Sequence, residues 1–302
     1  MIWQLYVQIN NFTKLSIADK YIILIGYRNN TISKESIEFK KHCDIHKVIC
    51  LFYPDKREEV PYLPSIKPHL LKQYFKYNPQ KEPFLLIDSD VIFTTKFPNL
   101  EECYSDEVWY LSDTIDYIGA AYIISKGEEL LEKMCKLVGI DKQIVIDNEG
   151  YSGGAQYLIK NSNYNFWKKV EKDSVSLYSL MKETEQIYCP EHPIQSWCAE
   201  MWATLWNCWL HGIQTDVIKE LDFCWPMNDI KEYQEKYIYH NAGVIDEDKD
   251  LFYKGKYTQN YPFNDNFDHI NKEKCTIEYT KEVMETGKKL GLHDSRNGEM
   301  SL

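Results

Sequence analysis

The sequence FLLIDSDVIF, residues 84–93, decides the expected fold and contains the first candidate site residues. Apolar residues stand on both sides of the polar triplet Asp88, Ser89 and Asp90. A short apolar run of this kind is typical of a strand that is buried on both faces of a sheet. Burying two carboxylates there costs free energy unless a cation meets them. Because residues i and i+2 of an extended chain point to one side, we expect Asp88 and Asp90 to face one divalent cation, Mn²⁺ or Mg²⁺.

The alternative interpretation of this stretch is a strand end whose two acids cap the following turn. An Asp-x-Asp pattern alone does not decide between the two, because short motifs become informative only in their structural context. The remainder of the chain supplies that context.

The composition is that of a globular protein of 302 residues, with 44% apolar and 27% charged residues. No apolar run reaches the ~20 residues that a membrane span needs, and the N-terminal sequence MIWQLYVQIN does not have the pattern of a signal peptide. Nine cysteines without a CxxC pair favour reduced thiols. We therefore expect a cytoplasmic protein without a membrane span, encoded by a bacterium or by a virus that uses its host's cytoplasm. The formal charge of −11 disfavours broad nucleic-acid binding.

Strands and helices are expected to alternate in the first hundred residues. Alternating polar and apolar residues predict a strand over residues 2–9. Further strands are predicted over 20–28, 47–54 and 84–93, with helices over 33–43 and 68–77. This order predicts an α/β fold with a mostly parallel, doubly wound, Rossmann-like sheet flanked by helices. Ligands bind such sheets beyond the carboxyl ends of the strands, which is where the two acids lie.

The second half of the sequence is expected to be more mixed, and no linker divides it from the first. Strands are predicted over 107–113, 117–125 and 155–160, and within 216–225 and 236–244. Helices are predicted over 127–139, 163–183 and 193–212, with a surface helix over 276–290. We expect one domain over residues 1–270, and a C-terminal helix and loose tail over 271–302.

Glu200 is the candidate catalytic residue of the aromatic-rich helix over 193–212. A carboxylate in the first turn of a helix is favoured by the helix dipole, which is the structural explanation. The functional explanation is a carboxylate held in an aromatic cleft, where it acts as a general base or accepts a hydrogen bond from a sugar hydroxyl.

Two further polar positions interrupt apolar sequence. His240 lies in YIYHNAGV, and its neutral imidazole is suited to be the third ligand of a Mn²⁺ ion that carboxylates hold. Gly153 and Gly154 precede a predicted strand, and glycines let a backbone approach a ligand closely. With Gln156 they are candidates for lining a substrate cleft, whereas the alternative is an ordinary tight turn.

The ordered set of these motifs resembles the GT-A glycosyltransferases over residues 1–260. It comprises the Asp-x-Asp strand, the glycine pair, the helix with Glu200, and a C-terminal His-x-x-Gly made by His240 and Gly243. The last element is similar to that of glycogenin-like enzymes, although their following Lys-Pro-Trp is missing here. The segment Ala-Glu-Met-Trp-Ala around Glu200 also resembles, distantly, a segment of hydroxyproline arabinosyltransferases.

The resemblance implies a UDP-sugar donor and a metal, Mn²⁺ or Mg²⁺, at its diphosphate. It implies that Asp90 and His240 bind the metal, that Asp88 binds the metal or the ribose, and that Asp113 and Asp116 contact sugar hydroxyls. In an inverting enzyme Glu200 would be the base, and in a retaining enzyme no residue is assigned. The remaining donor-binding candidates are Gln8, Asn10, Tyr53, Lys67, Ser89, Gly153, Gly154 and Gln156.

The acceptor and the class of protein remain open at the level of sequence. A glycan, a protein, a small molecule or a hydroxymethylated base of viral DNA are all acceptors that fit, and DNA predicts a basic strip made by Lys67, Lys72 and Lys76. A sugar nucleotidyltransferase shares the fold but usually has a glycine-rich basic loop, which residues 9–15 lack. A non-catalytic protein that binds a carbohydrate or a nucleotide is the remaining alternative.

Overall fold

The computed structural model describes residues 1–57, 62–79 and 82–292, which form a mixed α/β fold. Its helices are α1 (Ile2–Lys14), α2 (Lys34–Ile45), α3 (Ile66–Tyr77), α4 (Ile115–Ile118), α5 (Ala120–Lys126), α6 (Glu128–Val138), α7 (Lys142–Asp147), α8 (Tyr164–Thr184), α9 (Ala199–Leu210), α10 (Ile230–Glu235) and α11 (Thr276–Lys289). Its strands are β1 (Ile22–Tyr27), β2 (Ile49–Pro54), β3 (Phe84–Leu86), β4 (Val91–Phe93), β5 (Trp109–Asp113), β6 (Gly153–Ile159), β7 (Thr215–Val217), β8 (Phe223–Cys224) and β9 (Ile238–His240). Within these ranges, none of the helices combines the length and the apolar character needed to cross a bilayer.

The strands of the described residues form three small sheets. β1 and β2 are a parallel pair. The second sheet has the order β3-β6-β5-β7, in which β6 is antiparallel to both of its neighbours and β5 is parallel to β7. The third has the order β4-β9-β8, with β4 antiparallel and β8 parallel to β9. The strand pairing is therefore mixed, and it does not join the strands into the single, mostly parallel sheet that the sequence predicts.

The stretch 84–93 is two short strands and a turn instead of the single strand expected. β3 ends at Leu86, and β4 begins at Val91 in a different sheet. The acidic triplet forms the connecting turn, in which the amide of Val91 donates to the carbonyl of Asp88 at 3.3 Å. Three consecutive polar residues end the apolar run, and the chain leaves one sheet for the other at that point.

The strand predicted over residues 2–9 is wrong, because these residues begin helix α1. Alternation and helical periodicity share several positions here, so Trp3 and Val7 fit either pattern. The deciding residues are the amides of Gln4, Gln8 and Asn11, which are at most 3% exposed. Their i, i+4 and i+7 spacing places them on one face of a helix. There Gln8 and Asn11 bind the backbone of residues 88–93, and Gln4 accepts from the Ser89 hydroxyl.

The strand predicted over residues 117–125 is also wrong, because this segment forms α4 and α5. The β-branched and aromatic residues of YIGAAYIIS favour a strand locally. The Glu149 carboxylate, however, accepts hydrogen bonds from the amides of Ala120 and Ala121 at the start of α5. This cap comes from a distant part of the chain, so local sequence does not reveal it.

Most other predicted elements are confirmed, with boundaries shifted by a few residues. Ser33 caps α2 by accepting from the amide of Ser36 at 3.1 Å, and Gly139 ends α6 with a left-handed φ of 84°. The predicted surface helix corresponds to α11, but its Tyr279 and Val283 side chains are fully buried, so one face packs inward. Residues 293–302 of the predicted tail lie outside the described residues.

Two arginines pair with one carboxylate at the carboxyl end of the β1–β2 pair, and the Arg57 and Asp55 side chains are buried while that of Arg28 is exposed. The Asp55 carboxylate accepts from the guanidinium Nε of Arg28 and of Arg57, each at 2.9 Å. The hydrogen bonds from Arg57 lower the pKa of Asp55 against the opposing effect of burial, and Arg28 lowers it further. The ionised carboxylate therefore stabilises the folded state.

Candidate metal centre

Strand pairing brings the acidic turn next to His240. β4 runs antiparallel to β9, and in their register Val91 lies opposite His240. The amide of Asn241 also donates to the carbonyl of Asp90 at 3.0 Å. Backbone hydrogen bonds, rather than side-chain contacts, thus fix Asp90 and His240 as neighbours, although they are 150 positions apart in the chain.

The Asp88, Asp90 and His240 side chains converge on one point. His240 Nε2 lies 3.4 Å from Asp90 Oδ1 and 3.8 Å from Asp88 Oδ2. One ligand atom from each residue can be chosen so that all three lie within 4.8 Å of one another. Two carboxylates and an imidazole are a donor set that suits a divalent metal such as Mn²⁺. The residues therefore fit a metal, although nothing in their geometry selects which one.

Two lysines neutralise the carboxylates of this cluster. Lys67 Nζ lies 2.8 Å from Asp88 Oδ1, and Lys254 Nζ pairs with Asp90. Burial would raise the pKa of Asp90, but His240 and Lys254 outweigh it and lower that pKa below its ordinary value. Asp90 therefore stays ionised although it is 5% exposed, and an ionised carboxylate is what a metal requires.

Glu200 joins the cluster through Lys67, whose Nζ lies 3.1 Å from Glu200 Oε2. The Glu200 side chain is buried in the first turn of α9, and Thr204 donates to its other oxygen at 3.2 Å. Burial raises the pKa of Glu200, and the charge of Asp88 adds to this, while Lys67 opposes it. A buried carboxylate with a raised pKa is typical of a general base or acid. The pKa of Lys67 is also raised. Burial would lower it, but the two carboxylates stabilise the charged ammonium.

The phenol of Tyr62 fixes the start of α9, which carries Glu200. Its hydroxyl accepts from the amide of Glu200 at 3.0 Å and donates to the carbonyl of Trp197. Tyr157 contributes a second phenol, whose oxygen is buried without a hydrogen-bond partner among the described residues. Burial, followed by the charges of Glu200 and Asp88, raises the pKa of Tyr157 well above its ordinary value.

Gln8 lies beside the site but contacts its backbone, which differs from the role the resemblance implies. Its Nε2 donates to the carbonyls of Asp88 and Val91 at 2.8 and 2.9 Å, and Tyr21 donates to its Oε1. Gln4 similarly accepts from the Ser89 hydroxyl at 3.2 Å. These residues hold the acidic turn in shape. The sequence signal that identifies Gln4 and Gln8 is that their amide side chains are four residues apart, which is the spacing of one helix face.

Asn10 lies away from the cluster. Its amide nitrogen lies 3.2 Å from Glu282, and Lys289 donates to its oxygen at 2.7 Å. Both partners are on α11. The expected end of a first strand, where Asn10 would contact a nucleotide, does not exist because α1 is a helix.

Gln156 contacts the imidazole rather than an open cleft. It is completely buried, and its Nε2 lies 3.2 Å from His240 Nδ1. Ser112 in turn donates to Gln156 Oε1. In this arrangement the Gln156 amide nitrogen donates and His240 Nδ1 accepts, so the ring proton is on Nε2. For a metal to bind at Nε2, the Gln156 amide would have to turn over so that its oxygen accepts from Nδ1–H.

The remaining predicted site residues are more distant from the cluster or serve packing. Gly153 and Gly154 are buried in β6, where a Cβ atom on Gly153 would lie 2.6 Å from both the Leu111 Cβ and the Ser112 carbonyl. Close strand packing therefore accounts for Gly153. Tyr53 lies in β2, and its hydroxyl accepts from Asn78 at 3.3 Å. Asp113 ends β5 and is exposed beside a cavity described below.

Comparison with known proteins gives no match, so a proposal for the function rests on the geometry of the site. No protein-family model matches the chain, and no curated protein sequence matches it.

Proposed function

We propose that the protein is a metal-dependent glycosyltransferase, which moves a sugar from a UDP-sugar to an acceptor hydroxyl. The observation that carries the proposal is the convergence of Asp88, Asp90 and His240 on one point, with Glu200 joined to them through Lys67. The order of the motifs along the chain, which resembles GT-A enzymes, gives the donor class.

Three side chains would hold the metal, namely those of Asp88, Asp90 and His240. When bound, Mn²⁺ or Mg²⁺ supplies Lewis-acid neutralisation of the charge that develops on the departing diphosphate. Lys67 and Lys254 already contact the carboxylates, so both ammonium groups lie where a diphosphate would meet positive charge.

Glu200 is the residue we assign to the acceptor in an inverting reaction. Its carboxylate would take the proton of the acceptor hydroxyl as that oxygen bonds to the anomeric carbon. The bond between the anomeric carbon and the diphosphate oxygen breaks, and the nucleoside diphosphate leaves with the bonding electrons. The raised pKa of Glu200 supports this role, because it brings the carboxylate closer to the operating pH.

The proposal extends to the fold, for which we infer a GT-A-like, doubly wound arrangement. Two observations support it. β1 and β2 are parallel and are joined through α2, as in a βαβ unit. The acidic turn also follows the carboxyl end of β3, where ligands bind in such folds. An experimental structure with UDP-sugar bound tests this inference.

The experiment that tests the function combines binding and turnover. Mn²⁺ and UDP binding are measured by isothermal titration calorimetry, and nucleotide release is measured with a panel of UDP- and GDP-sugars. We expect Asp90→Asn to lose metal-dependent UDP binding, whereas Glu200→Gln keeps binding and loses transfer. Asp44→Asn, an exposed acid on α2, is the control and should match the wild type.

The result that would overturn the proposal is metal-dependent UDP binding that is equal in Asp90→Asn and in the wild type. Absence of UDP binding in the wild type would favour the alternative of a non-catalytic protein. The anomeric configuration of the product, read by NMR, decides whether the enzyme inverts and whether Glu200 is needed as a base.

A further inference from the structure

A cavity of about 280 Å³ lies beside the metal cluster, between the carboxyl end of β5, α4 and the segment around β8. The residues that line it include Tyr117 and Trp225, the three acidic residues Asp113, Asp116 and Asp222, and Thr114. The volume is near the lower end of the ~300 to 1,000 Å³ typical of ligand pockets, which suits a small ring-shaped ligand.

Aromatic rings connect this cavity to the metal cluster and to the surface. The Trp225 ring lies parallel to the His240 imidazole, with a centroid distance of 6.1 Å and an interplanar angle of 8°. Tyr117 lies 6.1 Å from Trp225 on one side and 6.2 Å from Trp197 on the other. Trp197 is 52% exposed, which is unusual for so large an apolar side chain. The rings therefore form a continuous series from solvent to His240.

The polar groups of the cavity are mainly hydrogen-bond acceptors. Asp113 and Asp116 are exposed, and Asp222 is half-buried. Lys236 also lines the cavity, and its ammonium donates to the carbonyl of Phe223 at 3.1 Å. A surface of this charge repels phosphates, so it disfavours a nucleic acid as the occupant.

We propose that this cavity is the acceptor site and that the acceptor is a carbohydrate. Its ring would pack on Tyr117 and Trp197, and its hydroxyls would donate to Asp113, Asp116 and Asp222. Aromatic faces next to carboxylates match a sugar, which has an apolar face and hydroxyls at its edge. The acceptor role rests on the function proposed above, whereas sugar binding by the cavity does not.

The position of Trp197 links the cavity to the proposed base. Trp197 precedes Glu200 by three residues, and the Tyr62 hydroxyl bonds to the backbone of both. A sugar held by Trp197 would therefore lie near the backbone at the start of α9, the helix that carries Glu200.

Two of the three lysines that a DNA acceptor would use are paired with carboxylates. Lys67 is occupied by Asp88 and Glu200, and Lys72 pairs with Glu171. We therefore favour the carbohydrate over viral DNA among the acceptors that the sequence leaves open.

The test is binding of the full chain, without metal or donor, to an array of soluble and immobilised glycans and to single- and double-stranded DNA oligonucleotides. We expect the wild type to bind a subset of glycans, and the affinity to fall at least tenfold in Trp197→Ala and in Asp113→Asn. Tyr104→Ala removes a similarly exposed aromatic residue before β5 and is the matched control, which should bind like the wild type. Circular dichroism confirms that each variant is folded.

Binding to no glycan, binding that Trp197→Ala leaves unchanged, or tighter binding to DNA than to any glycan would overturn the proposal. Titration of the same proteins with Mn²⁺ and UDP separates this result from failure of the proposed function. Intact metal-dependent UDP binding with no glycan binding contradicts the acceptor site alone. Glycan binding without UDP binding contradicts the transferase function and leaves the sugar site standing.

Discussion

Replacing Gln8 by Met tests whether helix α1 holds the acidic turn in its metal-binding shape. Methionine has nearly the same length but no hydrogen-bond donor at its tip. The change leaves the Val91 carbonyl without its side-chain donor and the Tyr21 hydroxyl without its acceptor. The Asp88 carbonyl loses one donor and keeps the amide of Val91. All three groups lie in or next to the buried face of α1, where water does not replace the lost partner freely.

The expected loss follows from the two groups that lose their partner, the Val91 carbonyl and the Tyr21 hydroxyl. An unpaired buried polar group costs roughly 1 to 3 kcal/mol, and the hydrogen bond of Tyr21 is only partly buried. We therefore expect the free energy of unfolding to fall by roughly 2 to 5 kcal/mol. A typical total is roughly 5 to 15 kcal/mol, so the variant should remain folded in buffer. Supporting residues of metal sites typically contribute about 10- to 100-fold to affinity, and we expect Mn²⁺ binding to weaken by that factor.

Urea denaturation followed by tryptophan fluorescence measures the stability, and isothermal titration calorimetry measures Mn²⁺ binding. Asn10→Leu is the matched control, because Asn10 is a buried amide on the same helix whose partners lie on α11. It should leave Mn²⁺ affinity unchanged. Equal Mn²⁺ affinity in Gln8→Met and Asn10→Leu, measured with folded protein, would refute the reasoning.

Three further substitutions test other contacts. Lys254→Met removes the ammonium that pairs with Asp90, so Mn²⁺ alone should bind at least ~10-fold tighter in calorimetry, and weaker binding would contradict this. Asp55→Asn should destabilise the protein at pH 7, because the lowered pKa of Asp55 stabilises the folded state above the unfolded pKa of about 3.9. This contribution is lost as the pH falls below that value. Urea titrations at decreasing pH should therefore show the stabilities of variant and wild type converging. Gly153→Ala places a Cβ atom 2.6 Å from the Ser112 carbonyl and should cost about 1 to 3 kcal/mol in thermal or urea unfolding, while an unchanged stability would show that β5 yields easily.

The residues of the candidate site could be chosen from sequence because each interrupts an apolar segment. Asp88 and Asp90 stand in an apolar run, and His240 stands at the end of another. Polar residues in such positions are costly unless they meet a partner, so the pattern itself predicts that they meet one another. The structure brings the three together, while the binding of a metal to them stays a prediction.

The two helices that the sequence predicts as strands, α1 and α5, are both stabilised by partners that are distant in sequence. The amides of α1 become favourable in a helix only because residues 88–93 accept and donate hydrogen bonds to them. Helix α5 depends on a cap from Glu149. Local propensity carries no information about either partner, so the alternating and β-branched patterns predict strands where the chain forms helices.

The lysine partners and the division into three sheets could not be predicted for a related reason. A surface lysine and a lysine that bridges two carboxylates look alike in sequence, and Lys67 becomes special only because α3 and α9 bring it between Asp88 and Glu200. Strand pairing is set by which edges meet in space. The period of a strand shows which side chains share a face, but it does not identify the neighbouring strand.

The acidic turn has a mechanical consequence, because it joins two separate sheets. Asp88 follows β3 of the four-stranded sheet, whereas Asp90 and His240 belong to the three-stranded sheet through β4 and β9. An ion bound by all three side chains would cross-link these two sheets. Its binding energy would oppose movement of one sheet relative to the other. Amide hydrogens in both sheets should therefore exchange more slowly, and in concert, once the ion is added.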